Sequence, residues 1–168
     1  MTLPLTTDRL VLRELEHRDI EFLLDLLHEP LWLRFIGNKS VHDRGGAVSY
    51  IERARAMQKA RGHGLWHVSL AADGTPLGLC GLIKRDELED VDLGFGFFER
   101  HHRRGYAQEA AAAVLAHGRD VLGLKSVVGV ASPDNAASCA LLEKLGFRCE
   151  GEREWKVGDR VKLYRLDY

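Results

Sequence analysis

Hydrophobic and polar positions along this chain follow two rhythms, and each change of rhythm marks an element. Residues 8–15, "DRLVLREL", set Leu10, Leu12 and Glu14 against Val11, Arg13 and Leu15, the period of two that predicts a strand. From Arg18 to about His28 the spacing changes. Ile20, Leu23, Leu24 and Leu27 fall on one helical stripe, with Pro30 after its end. Val48, Ile51, Ala54 and Met57 predict a second helix over roughly 43–60. "LWHVSLAADGTPLGLCGLIK" reads as a hairpin: a strand over 65–71, a turn at Asp73-Gly74 and a strand over 76–84. After the polar "KRDELED" comes another strand, "VDLGFGFF". A third helix follows Gly105, with Ala107, Ala110, Ala111, Val114 and Leu115 on one face. "KSVVGVA" has the unbroken apolar run of a buried strand. "PDNAASCALLEKLGF" opens with capping residues and stops at Lys144 and Gly146, predicting a fourth helix. The tail reads as two strands joined around Gly158-Asp159. The order β-α-α-β-β-β-α-β-α-β-β combines hairpins with single crossover helices. It implies a mixed sheet with helices on its faces, an α/β or α+β fold.

Composition narrows the class. With 168 residues, 45% hydrophobic and 29% charged, the chain suits one folded domain over 1–168. A net charge of −1 lacks the basic excess of a nucleic-acid binder. Cys80, Cys139 and Cys149 are odd in number and lack metal-ligand spacing, which predicts free thiols in a reducing compartment. No signal peptide is visible, and no apolar run approaches the roughly 20 residues that cross a bilayer. A cytoplasmic protein, monomer or homodimer, with no membrane or nucleic-acid partner, is the expectation.

The candidate chemistry lies in "FFERHHRRGYAQEAAAAVL", residues 97–115, where a strand end, a run of basic and titratable residues and a glycine precede an alanine-rich helix. A helix N-terminus offers unsatisfied N–H groups and about half a positive charge, a ready site for phosphate oxygens. Gly105 permits close backbone approach, while Arg103 and Arg104 add cations. A pyrophosphate fits these features. "GFGFF" lacks the spacing of a nicotinamide-dinucleotide fingerprint.

"HRRGYAQEA" resembles motif A of the GNAT superfamily of acetyl-CoA-dependent N-acetyltransferases, and "SPDNAASCALLEKLGF" is similar to their following signature. Their spacing, with "DRLVLREL" near the start, resembles the branch holding the ribosomal-protein-alanine acetyltransferases, over Asp8 to Tyr168. The resemblance implies a mixed, mostly antiparallel sheet of about seven strands with helices on both faces. It also implies acetyl transfer from acetyl-CoA, as cosubstrate, to a primary amine of a protein N-terminus or small molecule. The amides of His102, Arg103, Arg104, Gly105, Tyr106 and Ala107 would cradle the CoA pyrophosphate. The strand end Phe97-Phe98 would pair with the pantetheine arm, a Phe97 amide would face the thioester carbonyl, and Asn135 and Ser138 would lie beside the sulfur. Three positions depart from the family pattern. His102 stands where Gln or Arg is usual, Arg103 where glycine is frequent, and Leu142 where many members carry a tyrosine acid. Ser138 is then the candidate proton donor, and among the acidic residues of "RDELEDVD" Asp92 is the candidate base, acting through water.

Plainer readings stand beside these. Cys139 suits a buried hydrophobe better than a nucleophile, and His101-His102, being adjacent, do not make a metal site. Gly94 and Gly96 suggest bulges, and Trp32, Phe35 and Ile36 core or cleft wall. A catalytically silent acyl-CoA-binding sensor or scaffold is the alternative function.

Overall fold

The computed structural model describes residues 3–36 and 41–168. Eight strands form one sheet: β1 (Leu5–Thr6), β2 (Leu10–Glu14), β3 (Leu65–Leu70), β4 (Pro76–Ile83), β5 (Asp92–Phe97), β6 (Ser126–Ala131), β7 (Arg148–Glu154) and β8 (Arg160–Asp167). Their spatial order is β1-β2-β3-β4-β5-β6-β8-β7. Every neighbouring pair is antiparallel except β5 with β6.

The helices are α1 (Ile20–Leu27), α2 (Pro30–Phe35), α3 (Arg44–Arg61), α4 (Tyr106–Asp120) and α5 (Ala136–Lys144). The expected strands and four expected helices are present within a residue or two. Two elements are added. Two-residue β1 is too short to show a period. Helix α2 arises because Pro30 begins a helix instead of only following one. It occupies the first turn, after Glu29 in extended conformation, where its missing N–H costs nothing.

Two apolar clusters cover the two sheet faces. Leu10, Leu12, Trp66 and Val68 pack with Ala110, Ala111 and Val114 of α4 and Leu142 of α5. On the other face, Leu15 and Leu79 pack with Leu23 and Leu27 of α1, Trp32 of α2 and Ile51 of α3. The fully buried Ala110 and Ala111 bring α4 close to the sheet, as their small size requires.

The β5–β6 contact organises the molecule. It is registered only at Asp92↔Val128, with Val128 N–H donating to Val91 C=O at 3.0 Å. Beyond that pair the strands diverge. Gly94 and Gly96 are not bulges, for β4 and β5 run in unbroken register from Gly78↔Phe97 to Ile83↔Asp92. Gly96 is small for another reason: a Cβ there would sit 2.1 Å from Cζ3 of Trp32.

Candidate active site

The turn into α4 is built from two left-handed residues. Gly105, at φ 78°, forms the N-cap, and Arg103 adopts φ 63°. Such a conformation costs a non-glycine residue about 1–2 kcal/mol, so Arg103 occupies strained backbone at a place where the family frequently has glycine. As in any helix, the first-turn amides of Tyr106, Ala107 and Gln108 have no partner within α4. They open on a cleft of about 780 Å³ that is also lined by His102, Arg103 and Gly105.

A network invisible in the sequence fixes this turn. Thr7 Oγ1 donates to Glu109 Oε1 at 2.6 Å, and Arg9 donates through its amide at 2.9 Å and through Nε at 2.7 Å. Arg9 Nη1 also donates to Arg104 C=O at 2.9 Å, and its guanidinium lies 4.6 Å from the Tyr106 ring centre. Burial alone would raise the Glu109 carboxyl. The hydrogen bonds from Thr7 and Arg9 outweigh it and hold the group below the usual carboxylate range.

One wall of the cleft is the open edge of β5. Phe98 N–H donates to Leu77 C=O at 3.0 Å, and the antiparallel register makes Gly96↔Leu79 and Gly94↔Gly81 the next hydrogen-bonded pairs. The amides of Phe95 and Phe97 therefore point away from β4, into the gap where β5 and β6 part. The Phe97 carbonyl points the same way and accepts from His102 Nε2 at 2.9 Å. Phe98 takes no part in this wall. Its amide is used by Leu77 and its side chain is buried in the core under α1 and α2, because adjacent strand residues face opposite ways.

The opposite wall is the start of α5. Asn135 caps this helix, its Oδ1 accepting from Ser138 N–H at 3.2 Å. Ser138 lines the cleft and also a side chamber of about 100 Å³. Trp32, Phe35, Ile36, Phe95 and Asn135 are shared by the same two spaces, so the expected cleft wall is found and Ser138 stands at the junction. Leu142, by contrast, packs on Gly129, where a Cβ would sit 2.9 Å from its Cδ2. Cys139 is buried.

Asp92 is not brought to the cleft. It is fully buried at the start of β5 and ion-pairs with Arg85 Nη2 at 3.2 Å. A carboxylate enclosed in this way and held by a guanidinium does not match the water-borne base expected from the sequence. The adjacent histidines separate: His102 bonds the Phe97 carbonyl, whereas His101 stacks edge-on against Phe98 with ring centres 6.5 Å apart. Burial, then the charges of Arg100 and Arg104, lowers the His101 pKa, which favours the neutral ring beside the cleft. Among the described residues, no helix is long and apolar enough to cross a membrane.

A helix mouth of unpaired amides beside a strand pair that opens after one registered residue marks the class of fold to which this chain belongs. Residues 9–148 match the acetyltransferase (GNAT) domain, and the chain belongs to this family. It is 31% identical over 147 residues to the uncharacterised YkkB of Bacillus subtilis, covering 85% of this chain and 84% of that protein. An acetyltransferase from Agrobacterium tumefaciens superposes with a TM-score of 0.85 at 27% identity, covering 100% of this chain and 96% of the other. The fold is shared with RimL, a ribosomal L7/L12 α-N-protein acetyltransferase solved with coenzyme A (TM-score 0.83, 17% identity, 98% and 97% covered).

Proposed function

We propose that this protein transfers the acetyl group of acetyl-CoA to a primary amine, a protein N-terminus or a small molecule, by direct attack on the thioester. The observation that carries this reading is the parting of β5 and β6 with the Phe95 and Phe97 amides turned into the gap, in the same cleft as the residues that open α4. An extended pantetheine arm fits such an edge as an added strand, with its pyrophosphate on the 102–107 turn beside Arg103, the arginine of the pair that lines the cleft. The chain's own groups fit the ligand's chemistry: left-handed backbone, first-turn N–H donors and guanidinium groups for phosphate, and a strand edge for the amide-bearing arm.

In the reaction the amine nitrogen forms a bond to the thioester carbon, and the carbon–sulfur bond then breaks. A Phe97 N–H held towards the developing oxyanion contributes about 3 kcal/mol. The proton lost by nitrogen ends on the leaving sulfur, with Ser138 at the junction as its carrier, directly or through water. A thiol pKa of about 8.5 makes thiolate a fair leaving group even without a strong acid. The attacking amine must be neutral, because only the free base carries the lone pair that forms the new bond. At pH 7 that costs about 1 kcal/mol for an α-amine but about 4–5 kcal/mol for a lysine, which favours α-amines.

The test is calorimetric titration of acetyl-CoA into the protein and its Gly105→Glu variant, with free-thiol release followed over a panel of amines. Micromolar binding by the parent, lost in the variant while its circular dichroism is retained, together with amine-dependent thiol release, is the expected result. Equal affinity of the two proteins refutes the cradle. Binding without release on any amine makes the protein a silent acyl-CoA sensor.

A further inference from the structure

His102 opens the turn that the transfer reading gives to phosphate, yet its donors are engaged with the protein itself. Its amide donates to Glu99 C=O at 3.0 Å, closing the short helical turn Glu99–His101. Its ring Nε2 donates to Phe97 C=O at 2.9 Å. Together the two bonds tie residues 97–102 into a closed loop at the end of β5. In the neutral ring that donates through Nε2, Nδ1 carries a lone pair and offers a phosphate oxygen no proton.

The Phe97 carbonyl is the outermost rung of the open β5 edge. Val91, Leu93, Phe95 and Phe97 face the β6 side, because the alternate residues pair with β4. Val128 N–H takes the Val91 carbonyl at 3.0 Å, and the strands part beyond the Asp92↔Val128 pair. An arm entering from the mouth of α4 therefore meets Phe97 first and Phe95 deeper. The edge itself does little to fix how far the arm slides. Gly94 and Gly96 give β5 little pattern to read, and a pantetheine arm has no alternating side chains. A strand edge repeats every two residues, so the neighbouring register displaces the arm by about 7 Å. Such a slip withdraws the thioester from Ser138 at the junction.

We propose that His102 is a positioning residue whose imidazole caps the Phe97 carbonyl and so sets the depth of the acyl donor. The inference rests on the transfer reading above. With that carbonyl occupied, the first amide of the arm accepts from Phe97 N–H and donates to Phe95 C=O, and the register one step nearer the turn is closed. His102 thus acts on the arm and not on the phosphates. A glutamine side chain, usual at this place in the family, can donate to the same carbonyl.

The experiment combines steady-state kinetics, acetyl-CoA being the varied substrate, with calorimetric titration of ADP, which carries the diphosphate without the arm. In His102→Ala a slipped arm competes with the productive one for the same site. Both kcat and KM for acetyl-CoA should then fall by about fivefold, the factor of one hydrogen bond, with kcat/KM within about twofold. ADP affinity stays equal in the two proteins, and His102→Gln restores kcat. A loss of ADP affinity makes His102 a phosphate ligand and overturns the proposal. So does a tighter acetyl-CoA complex at undiminished kcat, the mark of a ring that only plugs the edge, and so does a variant identical to the parent. A parent that binds no acetyl-CoA overturns it together with the transfer reading. Binding without turnover removes the transfer chemistry alone, and nitrogen-15 spectra of the histidine rings then decide, with His102 assigned from its missing signal in His102→Gln. In CoA-saturated protein Nε2 must keep its proton and its hydrogen bond; release of that bond overturns the cap. The same spectra decide the matter should His102→Ala fail to fold.

Discussion

At the scale of single residues, the proposed proton carrier Ser138 offers a test of chemistry apart from binding. It faces both spaces, while its backbone amide is already committed to the Asn135 cap. Ser138→Ala is expected to lower kcat about 100-fold, the low end of what a positioned general acid contributes, with acetyl-CoA affinity within about twofold. Equal losses in both, read by steady-state kinetics and calorimetry, would leave the serine a binding role only. His67 gives a second test, this time of stability. Burial pushes its imidazole down to about 4, with the Arg13 charge reinforcing the effect and Asp19 opposing it. The ring is therefore neutral at pH 7 despite Asp19 Oδ1 lying 3.8 Å from its Nε2. The unfolded chain takes up this proton near pH 6.5 but the folded chain only near 4. Stability is thus fully present above about 6.5 and falls as the pH drops through that window, by on the order of 3 kcal/mol. Urea midpoints at pH 7 and 4.5 should diverge accordingly, and His67→Phe should shrink the difference. A parent protein with equal midpoints would contradict a buried neutral ring.

At the scale of elements, the link between the N-terminal segment and the mouth of α4 carries the next prediction. Glu109→Ala removes the acceptor that gathers Thr7 and Arg9, and frees Arg9 from the turn it braces through Arg104. A stability loss of about 1–2 kcal/mol, seen in urea unfolding, should accompany several-fold weaker acetyl-CoA binding. Weaker stability with unchanged affinity would make the network a staple for the fold alone. This link spans about a hundred residues of sequence, and no local pattern announces it. What was legible is local: periods of two and 3.6, the Gly105 turn, the Asn135 cap. Phe97-Phe98 carried its own warning, because a period of two sends one of the pair away from the cleft. The Asp92 expectation failed for a different reason. β5 is covered on both faces by helices, so a polar residue at its start lies inside instead of facing a cleft. Helix α2 was hidden because proline both follows a helix and begins one.

At the scale of the whole molecule, a ligand that binds only the folded chain stabilises it by mass action. Acetyl-CoA at 100 times its dissociation constant should add about 2.7 kcal/mol, a rise of about 5–10 °C in melting temperature for a chain of this size. No shift at that excess would argue against a specific site. Family membership follows from residues 9–148, whereas the eight-stranded sheet also takes in β7 and β8 beyond them, and the order of elements alone already suggested the architecture.

The solitary Asp92↔Val128 pairing gives the sheet a seam, with five strands on one side and three on the other. Mechanically, the protein resembles a book bound at a single stitch near the foot of its spine. Amide exchange should begin along that seam, and a metabolite lying in it as a ninth strand would do the binder's work, tying the rigidity of the enzyme to the supply of its own acyl donor.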